Sequence, residues 1–212
     1  MSLNFSVDPH VLIPRPETEV LVESIISYTE SHTQNIVQSE KDRWFDILDI
    51  GTGSGCIAVS IAYYVKNCHV TAVDISEEAL DIARLNAASN AVIDKTTFII
   101  SNLFEKVNDM KFDIIISNPP YIPSCNIKNL QIEVKDYEPL VALDGGKDGL
   151  YYYERIIEEA PYFLNSGGFL AFEVGYNQAD QVAELMERQF CKIEIIKDLA
   201  KIKRVVMGYI VK

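Results

Sequence analysis

Asn118-Pro119-Pro120-Tyr121 carries the chemistry-bearing pattern of this sequence, placed directly after the apolar run Ile114-Ile115-Ile116-Ser117. Three β-branched residues in a row suit a strand buried on both faces of a parallel sheet, where side chains need not alternate in polarity. The two prolines end that strand. Proline has no backbone donor and pushes the residue before it into extended geometry, so Asn118 is held straight at the carboxyl end. The carbonyls of Asn118 and Pro119 are then without ladder partners. Ligands of open α/β sheets bind outside the carboxyl ends of the strands, so these acceptors would face a ligand that offers hydrogen-bond donors. The plain alternative is a strand-terminating turn with a buried tyrosine.

The elements upstream look built to bring a cofactor to that point. Phe45-Asp46-Ile47-Leu48-Asp49-Ile50, Gly51-Thr52-Gly53-Ser54-Gly55 and Cys56 to Ala62 read as strand, glycine-rich turn and helix. Glycines let a backbone turn tightly and approach a ligand that a Cβ would block, and the helix amino terminus beyond offers free N–H groups. A glycine turn can also serve only close strand–helix packing. His69 to Asp74 reads as a second strand ending in an acid, about twenty residues past the glycines, where nucleotide-binding βαβ units place a carboxylate on ribose hydroxyls. Ser76 is available to cap the helix predicted over Glu77–Ala88. A third strand, Thr97–Ile100, leads to Ser101-Asn102-Leu103-Phe104, so Asn102 could read a base edge. The glycine spacing departs from G-x-G-x-x-G, whose second glycine admits a pyrophosphate. S-adenosylmethionine, with one nucleoside and no phosphate, needs no such cradle.

Elsewhere, Val11-Leu12-Ile13-Pro14-Arg15-Pro16-Glu17-Thr18-Glu19 is a rigid corner leading into a helix, with Pro16 at its first position and Val20, Leu21, Ile25 and Tyr28 on one buried face. Arg15 is either exposed or closes over the cofactor. Residues 29–43 are polar and aperiodic, which predicts a surface loop. Residues 122–149 predict a substrate-facing loop with Asp144-Gly145-Gly146 as a turn; Glu138 and Asp144 on it read as solvated charges or contacts for a basic partner. Leu150–Leu164 and Gln178–Gln189 read as helices and Phe169–Val174 as a strand. Lys192–Lys197 and Arg204–Ile210 lie close enough to form an antiparallel hairpin. The sum is a mostly parallel seven-stranded Rossmann-like sheet with one antiparallel strand: residues 1–28 as a lead-in segment and first helix, 29–43 as the loop, and 44–212 as the catalytic domain.

Composition narrows the field. With 212 residues and 48% hydrophobic content the chain supports one well-cored domain. A net charge of −12 argues against passive nucleic-acid binding, which depends on Lys and Arg neutralising phosphates. Cys56, Cys68, Cys125 and Cys191 have no C-x-x-C spacing and the three histidines lie far apart, so neither a disulfide framework nor a metal site is expected. No apolar run reaches membrane-spanning length and no signal peptide opens the chain, so a cytoplasmic monomer is expected.

Pro14-Arg15-Pro16-Glu17-Thr18-Glu19, Asp49-Ile50-Gly51-Thr52-Gly53-Ser54-Gly55-Cys56 and Asn118-Pro119-Pro120-Tyr121-Ile122 together resemble the HemK-like protein-glutamine N5-methyltransferases. Leu143 to Leu150, Gly167-Gly168-Phe169-Leu170, Glu173-Val174-Gly175 with Gln178, Lys197 to Ala200 and Arg204 to Val206 agree with that family. Asn-Pro-Pro-Tyr alone is less specific, because methyltransferases acting on amino groups of adenine and guanine carry it too. The resemblance implies S-adenosyl-L-methionine as donor, S-adenosyl-L-homocysteine as product, and the glutamine of a Gly-Gly-Gln tripeptide in a class-1 peptide-chain release factor as acceptor, hence a role in translation termination. It implies cofactor contacts from Asp49, the turn Gly51 to Gly55, Asp74, Asn102, Leu103 and Asn118. Two departures stand out: the small helical domain with which family members usually begin is missing, and Asn102 replaces an acid beside the adenine. The Asn102 side-chain oxygen can still accept an amino hydrogen, so a less tightly held cofactor is expected.

A carboxamide nitrogen is a poor nucleophile because its lone pair is delocalised, so orientation must supply much of the catalysis. The Asn118 side-chain oxygen and the Pro119 carbonyl can accept the two amide hydrogens, and Pro120 and Tyr121 can complete the substrate contact, the tyrosine ring packing on the planar amide. Acceptors around a nitrogen that becomes more positive stabilise the transition state specifically. Three other readings remain open: glutamine methylation of a ribosomal protein, amino methylation of a nucleic-acid base, and a cofactor-binding module without catalysis.

Overall fold

The computed structural model describes residues 2–34 and 43–211. A seven-stranded sheet runs through the molecule, formed by β1 (Phe45–Ile50), β2 (Cys68–Asp74), β3 (Thr96–Ile100), β4 (Phe112–Ser117), β5 (Leu164–Glu173), β6 (Lys192–Lys197) and β7 (Lys203–Tyr209). The spatial order is β3-β2-β1-β4-β5-β7-β6. The first five strands pair in parallel, while β7 runs antiparallel to both β5 and β6. This is the predicted arrangement. Strand order reverses between β1 and β4, and the register Ile50↔Ser117 aligns the ends from which the glycine turn and Asn118-Pro119-Pro120-Tyr121 depart. A ligand crevice belongs at such a switch point.

Both faces of the sheet are covered. Helix α1 (Thr18–Gln34), α2 (Cys56–Tyr64) and α3 (Glu77–Ser89) pack one face, where Leu21, Ile25, Ile57 and Ile61 meet Ile47, Ile114, Ile116 and Phe169. A four-residue helix, α4 (Ile132–Lys135), lies in the loop that follows β4. Helices α5 (Tyr151–Glu159) and α6 (Ala179–Met186) cover the opposite face, where Ile156 and Val182 meet Leu48, Ile115 and Phe172. The isoleucine run thus divides between two cores, with Ile114 and Ile116 on one face and Ile115 on the other, all fully buried. Among the described residues no helix is long and apolar enough to cross a membrane.

Several predicted boundaries move, each for a tertiary reason. Residues 29–34 were expected in a loop but continue α1 to Gln34; residues 35–42 lie outside the described set. Tyr28 packs edge-on against Phe169 at 4.5 Å and stacks on His32 at 3.9 Å, and Thr29 is buried, so packing carries the helix through a polar stretch. Leu21, Val22 and Ile25 make this helix part of the sheet's own core. Pro16 precedes the helix rather than starting it: the Thr18 and Glu19 N–H groups donate to the Arg15 and Pro16 carbonyls in a turn. The helix predicted over 150–164 ends at Glu159 and tightens into a 3-10 turn over Ala160–Tyr162, because Pro161 lacks an N–H donor. Strand β5 then starts at Leu164, before the predicted Phe169. The loop over 122–149 contains two 3-10 turns besides α4, at Ser124–Asn129 and Leu140–Ala142.

Candidate active site

A cavity of about 1050 Å³, counting its open mouth, lies at the carboxyl ends of β1, β2 and β4. One end is built by the glycine turn. Gly51 and Gly53 adopt φ of +71° and +54°, and a Cβ on either would meet nothing within 4 Å. They line the cavity with Thr52 and Ser54, and the space above them is what a ligand would fill. Gly55 has a different task. Its φ is +77°, and a Cβ there would come within 2.9 Å of the Ala83 Cβ, so this glycine lets α2 start against α3.

Asp49 does not line the cavity. It is fully buried beneath the turn, where its Oδ2 accepts the Thr52 hydroxyl at 2.6 Å and its Oδ1 has no partner among the described residues. Burial pushes its carboxyl up to about 7, opposed by hydrogen bonds from Thr52 and the Ala58 backbone and reinforced by the nearby charge of Asp74. Asp74 does line the cavity, at the end of β2. The Gly53 N–H donates to its Oδ2 at 2.9 Å and the Ser76 N–H to its Oδ1 at 3.0 Å. Each oxygen keeps a lone pair for further donors such as a vicinal diol. Desolvation raises its pKa and the backbone donors oppose that. Ser76 caps α3 by accepting the Ala79 N–H, which leaves Asp74 to the cavity.

Beyond β3, Asn102 and Leu103 form the next wall. The Asn102 Nδ2 donates to Glu105 Oε1 at 2.7 Å, so its Oδ1 is the end left to accept. Leu103 sits in the left-handed region at φ 52°, and its carbonyl accepts the Ser101 hydroxyl at 2.9 Å. A diol acceptor, a base-edge acceptor and a glycine floor fit S-adenosylmethionine. Asn118, Pro119 and Pro120 line the same cavity.

Tyr121 lies outside the lining. Its ring packs on Gly175, where a Cβ would come within 2.9 Å of Cδ2, and its backbone carbonyl accepts Gln178 Nε2 at 3.1 Å. Burial, helped by the charge of Glu173, pushes its phenol up to about 12. The turn after it is held in place: the Ile122 N–H donates to the Leu143 carbonyl, the Gly145 N–H to the Ile122 carbonyl, and the Gly146 N–H to Asp144 Oδ1. Asp144 thus forms the predicted turn, and Ser124 also donates to it.

Three site features carry no clear local signal in the sequence. Arg15 Nη2 meets Glu138 Oε1 at 2.5 Å, joining the segment before α1 to the loop after β4, and the Glu138 side chain is 2% exposed. Glu138 is therefore neither solvated nor free for a partner. Gln178 gathers three segments: its Nε2 donates to the Tyr121 and Gly149 carbonyls, and its Oε1 accepts the Gly175 N–H. Glu173 is buried at the end of β5, with the Thr18 and Asn118 side chains near its carboxyl. For Glu173 the sequence offers an acid ending the all-apolar run Phe169 to Phe172 and its place in the family-like Glu173-Val174-Gly175, neither of which says what it touches.

Comparison with known proteins gives the family and the fold. Residues 31–132 match the methyltransferase small domain. A release factor glutamine methyltransferase of Clostridium acetobutylicum is 40% identical over 211 residues, covering 98% of this chain and 70% of that protein. One from Geobacter sulfurreducens is 42% identical over 209 residues, covering 98% of this chain and 69% of its own length. Among solved structures, a methyltransferase from Pyrococcus furiosus superposes with a TM-score of 0.68 at 20% identity, over 99% of this chain and 90% of that one, which speaks to fold alone. On identity and coverage, the chain belongs to the release factor glutamine methyltransferase family.

Proposed function

We propose that this protein methylates the side-chain amide nitrogen of the glutamine in the Gly-Gly-Gln tripeptide of a class-1 peptide-chain release factor, with S-adenosylmethionine as donor, acting as a cytoplasmic monomer. The observation that carries this reading is the presence of Asn118 and Pro119 in one cavity with Asp74, Asn102 and the glycine turn. Gly51 and Gly53 leave room for the donor's amino-acid portion, Asp74 accepts its ribose hydroxyls, and Asn102 accepts its adenine amino group. The donor supplies an electrophilic methyl group on a sulfonium, and the products are S-adenosylhomocysteine and an N5-methylated glutamine, with one amide proton released.

The chain's own part is positional. Asn118 Oδ1 and the Pro119 carbonyl accept the two hydrogens of the substrate amide and orient its nitrogen toward the cavity. Holding reactants in a near-attack arrangement is worth roughly 7–11 kcal/mol in favourable cases. The acceptors bind more strongly as the nitrogen becomes cationic, so their effect falls on the transition state. Pro119 and Pro120 present the acceptors on a backbone with few conformations, which limits the entropy lost on binding. The net charge of −12 favours a protein substrate over a nucleic acid.

The test is label transfer from S-adenosylmethionine to a release factor, beside a factor whose Gly-Gly-Gln glutamine is replaced. Label confined to the unaltered factor is the expected result; label retained after replacement overturns the assignment.

A further inference from the structure

Asn118 poses an orientation problem, because a primary amide has one accepting and one donating end and only the accepting end can hold the substrate's hydrogens. Strands β4 and β5 are neighbours with Ser117 opposite Phe172, so the next residues, Asn118 and Glu173, stand side by side at the carboxyl ends of the two strands. Glu173 is 2% exposed, and its Oε2 has no partner among the described residues. The Asn118 and Thr18 side chains stand close enough to its carboxyl to oppose the rise in its pKa. A charged group in such a place costs stability unless something uses it. Fold alone does not call for it, since Phe169 to Phe172 before it are all buried and apolar.

Resting on the reading that Asn118 holds the substrate amide, we propose that Glu173 is a positioning residue: its ionised carboxyl takes the Nδ2–H of Asn118 and so turns Oδ1 toward the cavity. A carboxylate only accepts, so it selects the donating end of the amide. A protonated carboxyl can donate to Oδ1 instead, which removes the acceptor from the substrate. Tyr153 supports the arrangement from α5 by donating its hydroxyl to the Glu173 backbone carbonyl at 3.0 Å.

Protonation of Glu173 falls within reach of an assay. Burial pushes its carboxyl up to about 6; the neighbouring charge of Glu17 also raises it, while the hydrogen bonds from Thr18 and Asn118 and the charge of Arg204 lower it. The charged and titratable groups around it are Glu17 just before α1, Cys56 at the start of α2, Arg204 on β7, and Tyr121 and Tyr153, with Arg15 beside Tyr121 and Asp198 paired to Arg204 at 3.1 Å.

The experiment follows the Asn118 side-chain NH₂ resonances by nuclear magnetic resonance over pH 5–8, assigned by their loss in Asn118→Ala. Wild-type protein is expected to show a transition near pH 6 that Glu17→Gln moves to lower pH and Glu173→Gln abolishes. Resonances that do not move in wild type, or that still move in Glu173→Gln, overturn the proposal. In parallel, methyl transfer to a release factor is expected to lose about tenfold in kcat or more in Glu173→Gln, with cofactor-product affinity within twofold of wild type. The decline of wild-type kcat below pH 6 is expected to vanish in that variant. Full kcat with the acid limb retained refutes the role. Absence of transfer by wild type refutes the release-factor reading while leaving the resonance experiment to decide Glu173.

Discussion

Replacing Asp49 with asparagine should stabilise the protein above neutral pH, although Asp49 opens the glycine-rich motif. Its carboxyl is fully buried, one oxygen has no partner among the described residues, and its pKa rises from 3.8 to about 7. One pKa unit corresponds to about 1.4 kcal/mol, so the ionised form costs the fold ~4 kcal/mol. The sign follows from the raised value. The carboxyl's contribution is fully favourable below the unfolded value near 4, and is lost as pH rises through about 7. An asparagine keeps the bond from Thr52 through its oxygen but buries an amide nitrogen, which offsets ~1–3 kcal/mol. The expected net gain at pH 8 is therefore ~1–3 kcal/mol, or roughly 3–10 °C in Tm for a chain of this size. Thermal melts of Asp49→Asn and wild type at half-unit steps from pH 4 to 8 measure it. The difference should grow from pH 4 to 7 and then level off. An asparagine variant no more stable than wild type at pH 8, with a difference that ignores pH, would refute the assignment of a strained buried carboxylate.

Other perturbations separate the parts of the site. Asn118→Ala should abolish methyl transfer while leaving cofactor-product affinity nearly unchanged, whereas Asp74→Ala should weaken that affinity; calorimetric titration giving equal losses for both contradicts this division. Gly55→Ala should cost ~2–4 kcal/mol in denaturant unfolding, because it combines φ of +77° with a 2.9 Å approach to Ala83. Gly51→Ala, with open space around it, should lose less stability and instead weaken cofactor binding. Arg15→Ala leaves the buried Glu138 carboxylate unpaired and should cost ~1–3 kcal/mol, with faster hydrogen exchange over residues 132–142; Glu138→Gln should cost less. Exchange over these residues in Arg15→Ala equal to that of wild type would show that the pair does not tether this loop.

The local pattern alone was enough for the sheet and the glycine turn, and it singled out Asp74, Asn102 and Asn118-Pro119-Pro120, which line the cavity. These depend on properties that act within a few residues: proline's missing donor, glycine's access to positive φ, and β-branched runs that suit a buried strand. Strand β6 falls on its predicted bounds, Lys192–Lys197. What depends on distant partners was illegible. Helix α1 reaches Gln34 because Tyr28 finds Phe169, and Arg15 is bound because Glu138 stands 123 residues away. The three glycines read alike in sequence, yet only the packing of α2 on α3 separates Gly55 from Gly51 and Gly53. The tertiary structure also placed Asp49 beneath the turn and Tyr121 behind the cavity wall, and set Glu173 beside Asn118. Sequence specified which residue types reach the switch point of the sheet; only the pairing of β4 with β5 decided which buried carboxylate stands next to the asparagine, because strand order is a property of the whole chain's packing rather than of any local segment.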